Sequence, residues 1–305
     1  MTRVKRPAPR KRTRIRSKQQ PVGRLGRFLR AFLVSAVASF GGASYLLNPQ
    51  WDQDFVLDQI RSLLEWQQPG SVAPVVAATG PLAQTRFSEC PQFFPGNNPP
   101  AIPAVAALRE LCFSEFAILH NGQTKTPVFV AQRLNRRTMI EAQGNQRTDR
   151  FYAEARLPRS ERADLSDYKG SGYSRGHMAP AADIATGEGM AQSFSLANMV
   201  PQDQSHNAGA WSRIEQDTRK YVMRAQGDVF VFTGPVYPAG SAKTIGQGVA
   251  VPSHLYKVVY DTATGRAWVH WQANNAATKA GAPISYAEFV QRTGLHLLSP
   301  AGMQP

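Results

Sequence analysis

Residues suited to proton transfer and to divalent-ion binding gather in one part of the chain, between residues 168 and 216. Arg175, Gly176 and His177 are consecutive. A cation two residues before an imidazole disfavours the imidazolium. Histidine's ordinary pKa of about 6.5 already lies near working pH. His177 therefore has the makings of a general base acting on water, and Gly176 would permit a sharp turn beside it. Asn207 and Glu215 follow, eight residues apart. On an ideal helix they would sit about 80° apart around the axis and about 12 Å apart along it, with Glu215 leaning back toward Asn207. That gap is too wide for both to touch one ion. A hydrated ion could bridge it, bound directly by Asn207 and through its waters by Glu215. Mg²⁺ suits this, because it prefers oxygen and keeps several waters.

Each of these residues also has a plain structural reading. Asn207 could cap the helix that follows, Glu215 could be a surface charge, and Trp211 could be core. Asn198 could be a satisfied buried amide or part of the site's surroundings. Of the six histidines, five (His120, His206, His254, His270 and His296) lack His177's context. His206, beside Asn207, ranks highest among them.

The elements that must position this stretch read as mixed. Residues 128–134, 229–233, 254–260 and 267–271 read as strands, the second ended by Gly234-Pro235 and the last two joined by the turn-rich DTATGR. Residues 208–224 and 286–293 read as helices, the second opened by Ser285 and Glu288 at capping-box spacing. Strands and helices do not alternate regularly. An α+β layout fits better than a doubly wound parallel sheet.

The net charge of +14 looks like a signal for a polyanionic partner. Twelve of the 35 basic residues, however, lie in residues 1–30, which hold no acid. The rest of the chain has 23 basic against 21 acidic residues. The excess belongs to the tail, so function must be argued from local residues. Residues 31–51 carry no charge and form a short candidate membrane span. Basic residues stay on the cytoplasmic side, which makes residues 1–30 a cytoplasmic tail. We expect a single-pass inner-membrane anchor with everything beyond it periplasmic. A signal peptide cleaved near Ala36 or Ala38, giving a secreted protein, is the first alternative, and an organelle transit sequence the second. Residues 52–88 read as a juxtamembrane helix and an uncharged Pro/Gly-rich linker, and residues 89–300 as the compact domain. Cys90 and Cys112 both fall in the exported part, where disulfides persist. A bridge is expected, with two free buried thiols as the alternative.

Three motifs in order now resemble one family. Ser174-Arg175-Gly176-His177, Asn198-Met199-Val200-Pro201-Gln202, and Asn207 with Trp211 and Glu215 match the signature of the DNA/RNA non-specific endonucleases. The similarity spans roughly residues 89–298, including YKGSGY before the histidine and VPSHLYKVVY after it. The resemblance implies a ββα-metal fold with a central antiparallel sheet flanked by helices. It implies hydrolysis of DNA and RNA backbones with Mg²⁺, for which Mn²⁺ can substitute, and a possible homodimer. His177 would be the base, Asn207 the single protein ligand to the metal, and Glu215 would orient metal-bound water. An upstream arginine would neutralise the phosphate. Arg150 is preferred over Arg147 because Phe151 and Glu154 follow it in the family's pattern. Arg175 could assist, and Asn198 and Arg147 would contact substrate. Ser174 stands where the family usually carries aspartate, which bears on loop geometry rather than on reaction class. The functional alternatives are a catalytically silent nucleic-acid-binding surface protein on the same fold, an anchored interaction protein, and a secreted effector nuclease.

Overall fold

The computed structural model describes residues 81–240 and 242–298. The basic tail, the candidate membrane span and the juxtamembrane helix lie outside the described residues.

Seven antiparallel strands form the central sheet, in the order β13-β12-β11-β8-β5-β4-β3. They are β3 (Leu108–Cys112), β4 (Ala117–Asn121), β5 (Thr126–Leu134), β8 (Val229–Val236), β11 (His254–Asp261), β12 (Arg266–Ala273) and β13 (Ile284–Ser285). The four strands read from sequence are all present. β8 continues through Gly234 and Pro235, which pair with Tyr256 and Leu255. Gly234 is needed there for space, since a Cβ would lie 2.4 Å from the Val128 carbonyl oxygen.

The period-2 pleat sorts side chains between two covered faces. Phe129, Phe232, Tyr256 and Val258 join one core with Phe87, Phe94 and Phe289. Val130 and Leu255 join a second core with Met178, Phe194, Trp211 and Ile214. The second face carries the chemistry-bearing stretch. Helix α1 (Arg136–Ala142), α2 (Leu165–Tyr168), strand β6 (Tyr173–His177), α3 (Gly187–Ser193) and strand β7 (Met199–Asp203) come in chain order. A continuous helical run follows: α4 (Gln204–His206), a π turn over Asn207–Trp211, and α5 (Ser212–Val222). β6 and β7 pair antiparallel as a separate hairpin. Hairpin and helical run together make a ββα unit laid on the sheet.

Two short strands, β1 (Leu82–Gln84) and β2 (Ala101–Pro103), pair with each other, as do β9 (Thr244–Ile245) and β10 (Val249–Ala250). β1, and Phe87 in the first core, fall within the segment that the sequence assigned to a linker. The fold thus takes in residues before position 89. Cys90 and Cys112 form the expected disulfide, tying the segment before β2 to β3. Helix α6 (Tyr286–Thr293) has the expected bounds, and Ser285 Oγ accepts from the Glu288 backbone N–H at 3.1 Å. The Glu288 carboxylate pairs with Arg292, so only half of a capping box forms.

Candidate active site

His177 ends β6, where its backbone pairs with Met199. Its imidazole meets Phe194 edge-on at 5.0 Å and Phe151 at 5.7 Å, and these rings meet each other at 4.9 Å. Nε2 is sealed from solvent and no side chain hydrogen-bonds to it. Burial pushes the imidazole down to about 3, and Arg147 and Arg175 push the same way against Asp149. The ring is therefore neutral across physiological pH. The sequence anticipated the direction and Arg175's share in it. It did not anticipate that burial among aromatic rings would contribute most, with Arg147 ahead of Arg175.

Gly176 is not at a turn. It lies inside β6 opposite Val200. A Cβ there would stand 2.1 Å from Gln202 Oε1, so glycine is required by close packing within the hairpin.

The arginines divide. The Arg147 guanidinium sits over the Phe194 ring at 5.1 Å, and that of Arg175 over the Phe151 ring at 3.9 Å. Arg147 also pairs with Asp149 at 2.6 Å, both being exposed. Arg150 is exposed and joins no ion pair among the described residues. The structure thus brings Arg147 and Arg175, rather than the preferred Arg150, beside the imidazole. Glu154, which suggested Arg150, is buried and bound to Arg156 at 2.8 Å and to Ser195 at 3.1 Å.

Asn198 corrects an expectation. Placed at the substrate by sequence, it is fully buried. Its Oδ1 accepts from the Ala179 N–H at 2.8 Å, and its Nδ2 donates to the carbonyls of Ala179 and Ser193, each at 2.9 Å. With its amide spent on backbone groups it cannot reach a ligand. It fixes the chain just after His177.

Asn207 is not the helix cap. Asp203 caps α4, accepting from the His206 N–H at 2.9 Å. Asn207 has helical backbone angles and begins the π turn. Its side chain is half-buried and has no hydrogen-bond partner among the described residues. Single π turns within helices often occur at functional sites. The reason here is geometric. A π turn spends one extra residue, so the eight-residue interval to Glu215 acts like seven, close to two α-turns. The angular offset drops from about 80° to about 20°, and the two side chains share a face. His206 is buried, bonds Gln202 through Nδ1 at 3.1 Å and packs on Trp211 at 5.9 Å. It ties β7 to the helical run.

Glu215 sits in surroundings that the sequence reading missed. Lys257 Nζ, almost fully buried, donates to Thr233 Oγ1 at 2.8 Å and lies 5.5 Å from the Trp211 ring centre. Asp183, also buried, pairs with Arg219 at 2.9 Å. Burial pushes the Glu215 carboxyl up to about 7; Asp183 adds to this, while Lys257 and Arg219 oppose it. One available signal was a lysine in the apolar strand HLYKVVY, on the same pleat face as Leu255 and Val259.

Two arrays thus converge on the ββα unit: a neutral imidazole flanked by cations, and a free amide in register with a half-buried carboxyl. Comparison with known proteins places this architecture. The family model for the DNA/RNA non-specific endonucleases matches residues 99–297. The chain belongs to that family. Human mitochondrial nuclease EXOG is 36% identical over 159 residues, covering 48% of this chain and 43% of that protein. Bovine mitochondrial endonuclease G is 31% identical over 175 residues, covering 54% and 57%. Nuclease C1 of Cunninghamella echinulata var. echinulata is 35% identical over 156 residues, covering 47% and 62%. The match spans less than half the length of human EXOG. A crystal structure of the EndoG/EndoGI complex superposes with a TM-score of 0.58 at 23% identity, covering 69% of this chain and 90% of that one. The fold is that of the ββα-metal nucleases.

No group of three or more His, Cys, Asp or Glu side chains that could hold a metal ion occurs among the described residues. The donor set therefore suits no all-protein cage. One unpartnered amide oxygen, with a carboxyl on the same helix face, does suit an ion that keeps most of its water, and Mg²⁺ is such an ion. The residues present fit the group that the family implies.

Proposed function

We propose that this protein is a Mg²⁺-dependent nuclease that hydrolyses phosphodiester bonds in both DNA and RNA. The observation that carries this reading is the neutral, half-buried imidazole of His177 packed on two aromatic rings that each carry an arginine. The nuclease names of the similar proteins support it.

His177, kept unprotonated by its surroundings, takes the proton of the attacking water as the general base. Arg147 and Arg175 offset the charge gathering on the phosphate, and Arg150 is free to meet the same strand. Asn207 would hold Mg²⁺ through its amide oxygen, and Glu215 would orient water around it. The bound ion would supply Lewis acidity toward a phosphate oxygen and a leaving-group-side water. Contacts of this kind read the backbone and carry no sequence information, so cleavage has little sequence preference.

The test is cleavage of supercoiled plasmid and of RNA by wild type, His177→Ala and Asn207→Ala. Wild type should nick both substrates in Mg²⁺ and neither with EDTA. His177→Ala should be nearly inactive. Asn207→Ala should lose most activity and regain part of it in excess Mg²⁺. Wild-type rates for both variants would overturn the reading. Binding without nicking by wild type would point to the silent binder.

The anchor and the periplasmic placement rest on the tail and residues 31–51. Among the described residues no helix is long and apolar enough to cross a membrane. Carbonate-resistant membrane association of the intact chain would support the anchor. A mature N-terminus just after Ala38 would support secretion instead.

A further inference from the structure

A cavity of about 530 Å³ opens between α1 and α5. Its floor is apolar, with Met139 from α1, Met190 from α3 and Met223 just after α5. Its rim carries Arg147, Arg219 and Lys220, and no carboxylate lines it. The mechanism above uses none of these residues except Arg147.

Two residues of the cavity wall also touch the surroundings of the active site. Arg147 lies over the Phe194 ring, and that ring meets His177 at 5.0 Å. Arg219 pairs with Asp183 in the buried cluster around Glu215. A phosphate beside His177 therefore has a cation-rimmed apolar pocket next to it. The combination fits one class of occupant. Cations at the mouth suit the phosphates of a strand, and an apolar interior suits the face of a base. Arginine planes can stack on bases. No aromatic ring lines the cavity. Methionine thioethers adapt to rings of different outline, so such a pocket would accept any base.

We propose that this cavity receives one unstacked base of the nucleic-acid strand, as a subsite neighbouring the scissile phosphate. The proposal rests on the nucleolytic reading and adds a preference to it. Extracting a base costs least from a single strand, so single-stranded substrate is favoured over duplex.

The experiment is an abasic walk. A single-stranded oligonucleotide, with one base removed at each position in turn, is cleaved by the full chain in Mg²⁺. One position at a fixed offset from the cut should raise KM about tenfold, the loss expected for one stacked base, with kcat unchanged. Ala182→Trp fills the cavity from an exposed position in its wall. It should raise KM for the intact strand by the same factor and remove sensitivity to that position. Gln216→Trp, exposed on the α5 wall, should do likewise and guards against misfolding of the first variant. Equal KM at every abasic position would overturn the proposal. So would variant and abasic effects that multiply in full. The same strands compared by Kd, using fluorescence anisotropy, test the cavity even where nothing is cleaved. That separates its failure from failure of the nucleolytic reading.

Discussion

Around His177 the cations stand in solvent, whereas around Glu215 they are inside. Arg147 and Arg175 are exposed and lie on aromatic rings, which supply the burial. Lys257 and Asp183 are only 1% and 4% exposed, and their charges face Glu215, Arg219 and each other. The dominant cause is the same on both sides, since burial favours the neutral form of any titratable group. The outcome differs because a base and an acid respond in opposite directions. The imidazole is held unprotonated, and the carboxyl is brought to the edge of titration. The charges beside His177 remain available to a substrate. Those beneath Glu215 are committed to one another.

Several changes would break or sharpen this contrast. The largest effect is expected for His177→Ala, a loss of about 10²- to 10⁴-fold in kcat with the fold intact by circular dichroism. Next is Lys257→Met. Removing one member of a buried charge cluster strands the rest, at a cost of about 3–5 kcal/mol in urea denaturation. Arg175→Ala on the solvent side should cost at most about 1 kcal/mol. Comparable costs for the two would erase the distinction. Gly176→Ala should cost about 1–3 kcal/mol, because Gln202 must move to admit the methyl group.

The pH dependence should differ in sign between the two sides. His177 has a native pKa near 3, below its unfolded value of 6.5. Its contribution to stability is complete above about pH 6.5 and is lost as pH falls toward 3. Glu215 has a native pKa near 7, above its unfolded value of 4.5. Its contribution is complete below about pH 4.5 and is lost as pH rises through 7. Relative to wild type, the Tm of His177→Gln should therefore rise as pH falls from 7 to 4. That of Glu215→Gln should rise as pH climbs from 5 to 8. Parallel responses would mean that the two environments do not differ. The smallest effect is expected for Arg147→Ala: a higher KM, and a slope of log KM against log salt that is shallower by about one contact.

Much of the site was legible as short-range pattern. Arg175-Gly176-His177 and Asn207 with Trp211 and Glu215 are each contiguous or confined to one helix, so spacing alone marks them. Strands such as 254–260 were legible because period-2 apolar runs follow directly from the pleat. Asn198 was misread because an amide gives no sign in sequence of whether it faces a ligand or the backbone of Ala179. Arg150 was preferred over Arg147 on the strength of Phe151 and Glu154 after it; the two arginines are three positions apart in one loop, and only the path of that loop decides which guanidinium reaches Phe194.

By itself the sequence determined the residue types, the periodicities and the order of motifs, hence the α+β class and the candidates for base and ligand. Those properties are local, fixed by a few neighbouring residues and the geometry of strand or helix. Only the tertiary structure decided what surrounds each candidate. The rings that bury His177, the π turn that brings Asn207 into register with Glu215, and the packing of Lys257 beneath the helix all join residues distant in the chain. Burial sets the proton affinity of both groups. It is a property of the packed whole, and no window of sequence contains it.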